Sequence, residues 1–503
     1  MKTVTTTRWF YNLYVFISGA AVMLLEFAAS RLLAPYFGTS IFVWGNIIGA
    51  ILIALSVGYF IGGKLADRKP DLTVVSSYVL AASVLVSLIP AFMVVLVVPL
   101  SELQTSFSFQ LGFSIIGSFV AIVLLFALPV ILLGMVSPFI IRIATKDIQT
   151  AGQVAGGLYA WSTLGSIVGT FASAFFIVPF LGSRETIFIS ALLLALIGIV
   201  GMKRYRYAVI LVLPIVSYLW FSQQPLRADA AVLEEGETMY QYYAVSDTSD
   251  RLLLQYNEGI GTQSFYMKTG VLTNTYYDYL GLVPVLAGTV PPRNIAVLGL
   301  AGGTLTRQLT TFFPDSHITG VEIDGDIVDL AKRRFGLADQ GITIVIDDAR
   351  TFMQQTAETY DLIFVDAFTN EYYIPWHMTT VEFFRSLAEH QPAQGMVAMN
   401  IGSASGDAKL LQAMLTTIQA VYPNVYTAAI PGTFNYVVVA AKQPIQSLDP
   451  LLAITDERQG SAAYLYDQIA PFTASNTAPI LTDNRAPVEL YTEAMVWDYI
   501  LDL

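Results

Sequence analysis

Residues 295–324 read IAVLGLAGGTLTRQLTTFFPDSHITGVEID, and they decide the fold of the C-terminal half. An apolar run, Ile295–Leu298, has the length and content of a buried strand and ends in the turn Gly299-Leu300-Ala301-Gly302-Gly303. A helix-compatible stretch, Thr304–Phe313, follows, and then a second apolar run, Ile318–Val321, that ends in Glu322 and Asp324. This is one β-α-β unit with an acid at the tip of its second strand. Glycines let a backbone approach a ligand closely, and the acid can accept ribose hydroxyls. Gly299 and Glu322 stand at the roughly 20-residue spacing such sites use. The glycines do not form the full dinucleotide fingerprint, and a tight turn with a surface acid is the plainer alternative.

Outward from this unit, strands and helices alternate, which predicts a parallel sheet with helices on both faces. Candidate strands lie at 342–346, 361–365, 395–400, 425–429 and 436–440, and candidate helices at 304–312, 325–335, 349–356, 379–390 and 407–421. Ligands of such sheets sit beyond the carboxyl ends of the strands. Acids gather there: Glu322 after the second strand, Asp347 and Asp348 after the third, Asp366 after Leu362–Val365. Asp348 and Asp366 also suit helix N-caps. Acids at three strand ends converging on one crevice point to a polar site. Upstream, Tyr240–Val245, Arg251–Tyr256 and Thr262–Met267 read as short strands separated by turn residues, a small β subdomain.

The mean hydropathy of +0.59 averages two unlike halves. Residues 1–227 hold 13 Lys and Arg against 6 Asp and Glu, whereas the rest holds 13 against 32, so charges of +7 and −19 make up the formal −12. An acidic domain favours cationic partners and disfavours nucleic acid, although solubility alone explains it as well. No cysteine is present, and His317, His377 and His390 are scattered, so neither thiolate chemistry nor a metal site is expected.

Seven apolar runs in the first half approach or exceed the length of a bilayer span: 10–29, 41–63, 75–99, 111–141, 154–180, 185–202 and 205–222. The first leads straight into the others, without the pattern of a cleavable signal peptide. Pro129, Gly134 and Pro138 predict a kink or a re-entrant end in the fourth. Gly156, Gly157, Gly165, Ser166 and Gly169 make the fifth a close-packing helix. Ten basic residues fall at the N-terminus and in the loops after spans two, four and six, against Arg31, Arg184 and Arg227 on the other side. The positive-inside rule then places the N-terminus in the cytoplasm and, with seven spans, the acidic domain outside it. Glu26 sits within the first span, five residues before Arg31, and is either a functional carboxylate or a structural pair.

Several segments resemble the spermidine synthase (polyamine aminopropyltransferase) family. Tyr240-Gln241, the stretch from Arg251 and Gln263 are similar to its entry hairpin with two glutamines. The run Tyr276-Tyr277-Asp278 through Pro284 is similar to its YHE…VP segment, and Val321–Asp324 to its VEID. Ile344–Ala349 looks like its IDDG adenine segment, and Tyr360–Asp366 like its catalytic strand. The hydrophobic half, with Glu26, Arg31, Gly58–Gly63 and Ala66-Asp67-Arg68, resembles the membrane-integrated members.

The resemblance implies an α-helical membrane domain over 1–227, a β subdomain over 228–290 and a Rossmann-like methyltransferase-type domain over 291–503. It implies a multi-pass protein of the cell (inner) membrane that carries an aminopropyl group from decarboxylated S-adenosylmethionine to an amine such as putrescine, leaving methylthioadenosine. No prosthetic group or metal is expected; the partners are amine, nucleoside and lipid, and a homodimer is compatible. By position, Gln241, Gly299, Gly303, Glu322, Asp348 and Ala349 would bind the nucleoside, and Gln263, Tyr276, Tyr277 and Asp278 the amine side. Asp366 and Glu371 would serve catalysis, because Thr369 stands where the family's D-x-x-D has its second acid. Gly302 stands where its GGGDG loop has Asp. Two other readings compete: a methyltransferase using S-adenosylmethionine itself, and a polyamine or nucleoside transporter or sensor with a non-catalytic domain.

Overall fold

The computed structural model describes residues 2–97, 116–221, 224–226, 231–259, 261–287, 291–368, 373–474 and 478–501. The chain divides into two compact units, Met1–Asp229 and Ala230–Leu503.

Among its described residues the first unit forms helices and no strand. Among the described residues six helices are long and apolar enough to cross a membrane: α1 (Lys2–Phe37), α2 (Ile41–Arg68), α3 (Leu72–Val97), α4 (Ile116–Ala144), α5 (Ile148–Leu181) and α6 (Ser183–Met202). A shorter apolar helix, α7 (Arg206–Phe221), occupies the seventh predicted run. Small residues let the backbones meet: Gly165 and Gly169 of α5 press on the backbone of Phe16 and Ala20 in α1 and leave no room for a Cβ. Hydroxyls bridge helices, from Ser83 to the Ala191 carbonyl at 2.7 Å and from Ser217 of α7 to the Ser87 carbonyl of α3 at 2.5 Å. Close backbone contacts and interhelical hydrogen bonds of this kind hold helices together without relying on the hydrophobic effect. Outward-facing Ile53, Phe60, Phe171, Phe175, Phe176 and Trp220 are exposed. The fourth helix is interrupted twice, by a wide π turn at Val123–Ala127 ahead of Pro129 and by a break at Met135 after Gly134. Proline lacks an N–H and crowds the carbonyl four residues back, and a widened turn relieves both. The same device precedes Pro179 in α5, at Ser173–Ile177.

The second unit begins with a four-stranded antiparallel sheet, β1 (Val232–Glu237), β2 (Tyr242–Asp247), β3 (Arg251–Tyr256) and β4 (Ser264–Met267), in sequential order. The large sheet comes next: β5 (Asn294–Leu298), β6 (His317–Glu322), β7 (Thr343–Ile346), β8 (Leu362–Val365), β9 (Met396–Gly402), β10 (Asn424–Ala429), β11 (Asn435–Ala441) and β12 (Ala470–Pro471). Their order is β12-β10-β11-β9-β8-β5-β6-β7. Strands β5 to β9 pair in parallel, while β11 runs antiparallel between β9 and β10, so the sheet is mixed rather than wholly parallel as the alternation predicts. Only a short link, residues 430–434, joins β10 to β11, and a link of that length can make a hairpin but not a crossover. The result is the methyltransferase-type arrangement, a doubly wound sheet in which β11 and the short edge strand β12 run against the others.

Ile295 and Val297 pack on one face of the sheet and Ala296 and Leu298 on the other, each side in its own apolar core. One core is closed by α8 (Tyr276–Leu280), α9 (Thr304–Phe312) and a later helix, Gln459–Gln468. Residues of Ala349–Gln355, Val381–Glu389, Lys409–Gln419 and the last helix, Val488–Leu501, fill the other. The winding changes sides between β5 and β8, which opens a crevice at their carboxyl ends.

Candidate active site

The crevice is lined by the turns and loops that leave β5, β6, β7 and β8. After β5, Gly299 adopts φ +94°, and a Cβ there would collide with the Asp366 carbonyl. The Asp366 amide donates to the Leu298 carbonyl at 2.9 Å, so the glycine turn and the acid are neighbours through the backbone. Gly303, at φ +80°, closes the turn by donating to the Leu300 carbonyl at 2.8 Å, and α9 starts beyond it. Between them Ala301 holds φ +44°, a conformation uncommon for a residue with a Cβ.

Glu322 explains how that conformation persists. Its Oε2 accepts the amides of Ala301 at 2.8 Å and Leu300 at 3.2 Å, and its Oε1 accepts the Asp324 amide at 3.1 Å. A carboxylate offers about four acceptor sites, so roughly one remains for a ligand. Burial pushes the Glu322 carboxyl up, and the three amides work against that rise. Asp324 caps the following helix through the amides of Asp326 and Ile327, and its Oδ2 accepts the Thr238 hydroxyl at 2.6 Å. The same Thr238 oxygen accepts the Tyr240 and Gln241 amides, both at 3.1 Å. The β1–β2 turn is thereby pinned to the tip of β6. Gln241 lies beside the buried Tyr256 hydroxyl, and Tyr240 feels the charges of Asp324, Asp348 and Glu322.

Asp348 caps the helix that starts at Ala349, accepting the Thr351 amide at 2.9 Å, and its other oxygen meets His377 Nε2 at 3.2 Å. Burial would raise its pKa, but the Thr351 amide and His377 outweigh burial and hold it below the usual value. Ala349 is buried behind it.

The other flank belongs to Asp366. The Tyr276 hydroxyl donates to both its oxygens, at 3.3 and 3.2 Å. Tyr277 and Asn400 also face this carboxylate, and burial still pushes it up to about 7. The Tyr276 and Tyr277 rings stack with centroids 4.2 Å apart, and the Tyr277 hydroxyl donates to the Gln263 carbonyl at 2.6 Å. Asp278, 3% exposed, accepts four hydrogen bonds: Thr273 amide 2.8 Å, Thr273 hydroxyl 3.0 Å, Asn274 amide 2.7 Å and Gln308 amide 2.7 Å. Those bonds hold the loop that delivers Tyr276. Thr369 and Glu371 lie outside the described residues.

Gly302 has a steric reason. Its amide donates to the Ser264 hydroxyl at 2.8 Å, and a Cβ on it would lie 2.6 Å from the Ser264 Cβ. Ser264 of β4 fills the space beside the turn. Sequence reasoning missed Thr238, Ser264, Tyr256, His377 and Asn400 as parts of this crevice; none sits in a spaced pattern, and tertiary contacts alone bring them in.

A model of the spermine/spermidine synthase domain matches residues 274–446. The chain is 35% identical over 277 residues to the probable polyamine aminopropyl transferase of Bifidobacterium longum, a match that covers 51% of this chain and 61% of that one. The chain thus spans about three fifths of that relative's length. It is 25% identical over 390 residues to the polyamine aminopropyltransferase of Corynebacterium efficiens, covering 71% of this chain and 70% of the other. Among solved structures, a probable spermidine synthase from Corynebacterium glutamicum aligns at 19% identity and a TM-score of 0.42, covering 50% of this chain and 96% of that one.

Proposed function

We propose that this chain, whose C-terminal part carries a spermine/spermidine synthase domain, is a membrane-bound aminopropyltransferase. The observation that carries the reading is the meeting of Glu322 and Asp366 around one glycine turn, an acceptor for a ribose on one side and a carboxylate near neutrality on the other. The donor is decarboxylated S-adenosylmethionine and the acceptor an amine such as putrescine. Glu322 takes one ribose hydroxyl with its remaining acceptor site. Asp348, Ala349 and Gln241 border the adenine side, and Gln263, Tyr276 and Tyr277 the aminopropyl and amine side.

The chemistry asks little of the protein. The amine nitrogen forms a bond to the carbon next to the sulfonium, the carbon–sulfur bond breaks, and its electron pair neutralises the sulfur to give methylthioadenosine. The nitrogen must approach unprotonated and in line, so the site's work is alignment and removal of one proton. Asp366, pushed up to about 7, is basic enough to take or steer that proton and still ionised above neutrality. The acidic C-terminal half draws in the cationic donor and amine. The six long apolar helices and the apolar residues on their outer surface support residence in the cell (inner) membrane.

Purified protein incubated with decarboxylated S-adenosylmethionine and a panel of amines should yield methylthioadenosine and an amine heavier by one aminopropyl group, read by mass. Methylated amine from S-adenosylmethionine would favour a methyltransferase. Nucleoside binding with no product from either donor would favour a sensor or transporter.

A further inference from the structure

Within the first unit, where α1 begins and α4 ends, lies a cavity of about 460 Å³. That is the size of a small-molecule site, typically about 300–1,000 Å³. It lies beside the glycine contact between α1 and α5. Helices pressed together at small residues commonly cross at a steep angle, so their axes part on either side of the contact. Gly165 meets Phe16 at that contact, and toward the start of both helices the gap opens between Arg8–Asn12 and Val154–Trp161. The end of α4, with Ile143, Ala144 and the following Lys146, closes the third side.

The lining divides by chemistry. Arg8, Lys146, Tyr11 and Asn12 bring two cations, a phenol and an amide, and among the described residues no carboxylate lines the cavity. Val154, Leu158 and Ile143 make an apolar wall that runs to Trp161, which is 40% exposed and packs edge-on to Phe16. Two cations beside hydrogen-bonding groups suit a phosphate, and an apolar slot leading away from them suits a hydrocarbon chain. Tryptophan, tyrosine and long basic side chains belong at the depth where lipid headgroups meet acyl chains. Arg8 and Lys146 also lie on the basic side of the unit, the side that faces anionic lipid if the protein follows the positive-inside rule.

We propose that this cavity binds an anionic membrane phospholipid, its phosphate held by Arg8 and Lys146 and its chain leaving past Trp161. The proposal rests on the first unit's residence in a membrane. Carbonate washing of membranes tests that residence first: recovery of the chain in the soluble fraction overturns both. With the chain retained and purified in detergent, phosphatidylglycerol, phosphatidylcholine of the same chains, or inorganic phosphate is added, and lipid retention is read by native mass spectrometry alongside the melting temperature. Phosphatidylglycerol should be retained at least tenfold over phosphatidylcholine, and this preference should vanish in Arg8→Gln/Lys146→Gln. It should persist in Lys69→Gln/Lys203→Gln, which removes equal charge outside the cavity. A melting transition without added lipid like that of the wild type confirms that each variant is folded. Equal retention of the two lipids, or an unchanged preference in the cavity variant, overturns the site. Full stabilisation by inorganic phosphate alone overturns the lipid as its occupant.

Discussion

The Tyr276 hydroxyl reaches both oxygens of Asp366, at 3.3 and 3.2 Å. One donor thus spans a carboxylate that burial pushes up to about 7, and it restrains that rise. The accepting form of Asp366 is the ionised one, present above its pKa and lost below it. If Asp366 takes the amine's proton, kcat/KM should fall on the acid side of a limb near 7. Tyr276→Phe removes a donor to the charged form, so the limb should move to higher pH. Asp366→Asn should cost about 10²–10⁴ in turnover, the usual range for a general base, with nucleoside affinity nearly intact. A pH–rate profile that Tyr276→Phe leaves in place would count against this role.

The same carboxylate carries a stability signature. Its folded pKa lies above its unfolded one, so between about 4 and 7 the folded state binds more protons than the unfolded. Stability therefore falls as pH rises through that window, and the cost is complete above 7. Asp366→Asn removes a charge that the site must desolvate. It should raise the melting temperature of the purified chain at pH 8 and leave it near wild type at pH 4. A gain of the same size at both pH values would show that ionisation is not its cause.

Glu322 braces the turn and is the proposed ribose ligand. Three backbone amides end on it, and hydrogen bonds to charged groups are worth about 1.5–3 kcal/mol each. Glu322→Ala should weaken methylthioadenosine binding at least tenfold in calorimetry and lower the melting temperature as well. Glu322→Gln should not restore either fully, because one of its two polar ends becomes a donor facing an amide donor. Wild-type affinity in the alanine variant would remove Glu322 from the ribose.

Much of this was legible in residues 295–324, because buried parallel strands are continuous apolar runs and the turn between them needs glycine. The strand-end position of Glu322, Asp348 and Asp366 was legible for the same reason. The work of Asp278 was not. A carboxylate in a Tyr-Tyr-Asp run reads as a ligand group, and only the fold shows Thr273, Asn274 and Gln308 converging on it. Strand β1, Val-Leu-Glu-Glu-Gly-Glu, lacks alternation and is held by its neighbour β2. The reversed direction of β11 is likewise a matter of pairing, since an apolar strand reads the same in either sense.

Ser264 and Gly302 bear on the acid that the family's glycine loop carries. Restoring it by Gly302→Asp would drive a Cβ to 2.6 Å from the Ser264 Cβ. Overpacking of this kind costs about 1–3 kcal/mol. The single variant should therefore melt lower and lose activity. Gly302→Asp with Ser264→Gly should recover stability and is the better test of whether an acid there improves use of diamines. Full stability of the single variant would mean that β4 yields readily and that Ser264 does not set the character of this position.

The last prediction concerns the side of the membrane on which the C-terminal unit lies, and α7 decides it. Six crossings would return the chain to the side where it began; seven would place the C-terminal unit opposite. Arg206–Phe221 falls short of the usual 20 residues. Yet Tyr205–Leu211 is wound as a 3₁₀ helix, which rises about 2.0 Å per residue against 1.5 Å in the α-helical Val212–Phe221. Together the two segments reach roughly 29 Å, close to the 30 Å hydrocarbon core of a bilayer. Ser217 in α7 also donates to the Ser87 carbonyl of α3, so α7 packs within the bundle. Basic residues crowd the N-terminal side, although Arg227 of the opposite side lies outside the described residues. The N-terminus should therefore face the cytoplasm and the C-terminal unit the other side. A reporter active only outside the cytoplasm, fused after Leu503, should be active, and one fused ahead of Met1 silent. Activity of a cytoplasmic reporter at the C-terminus would mean that α7 lies along the surface. The donor nucleoside would then reach the site without crossing the bilayer.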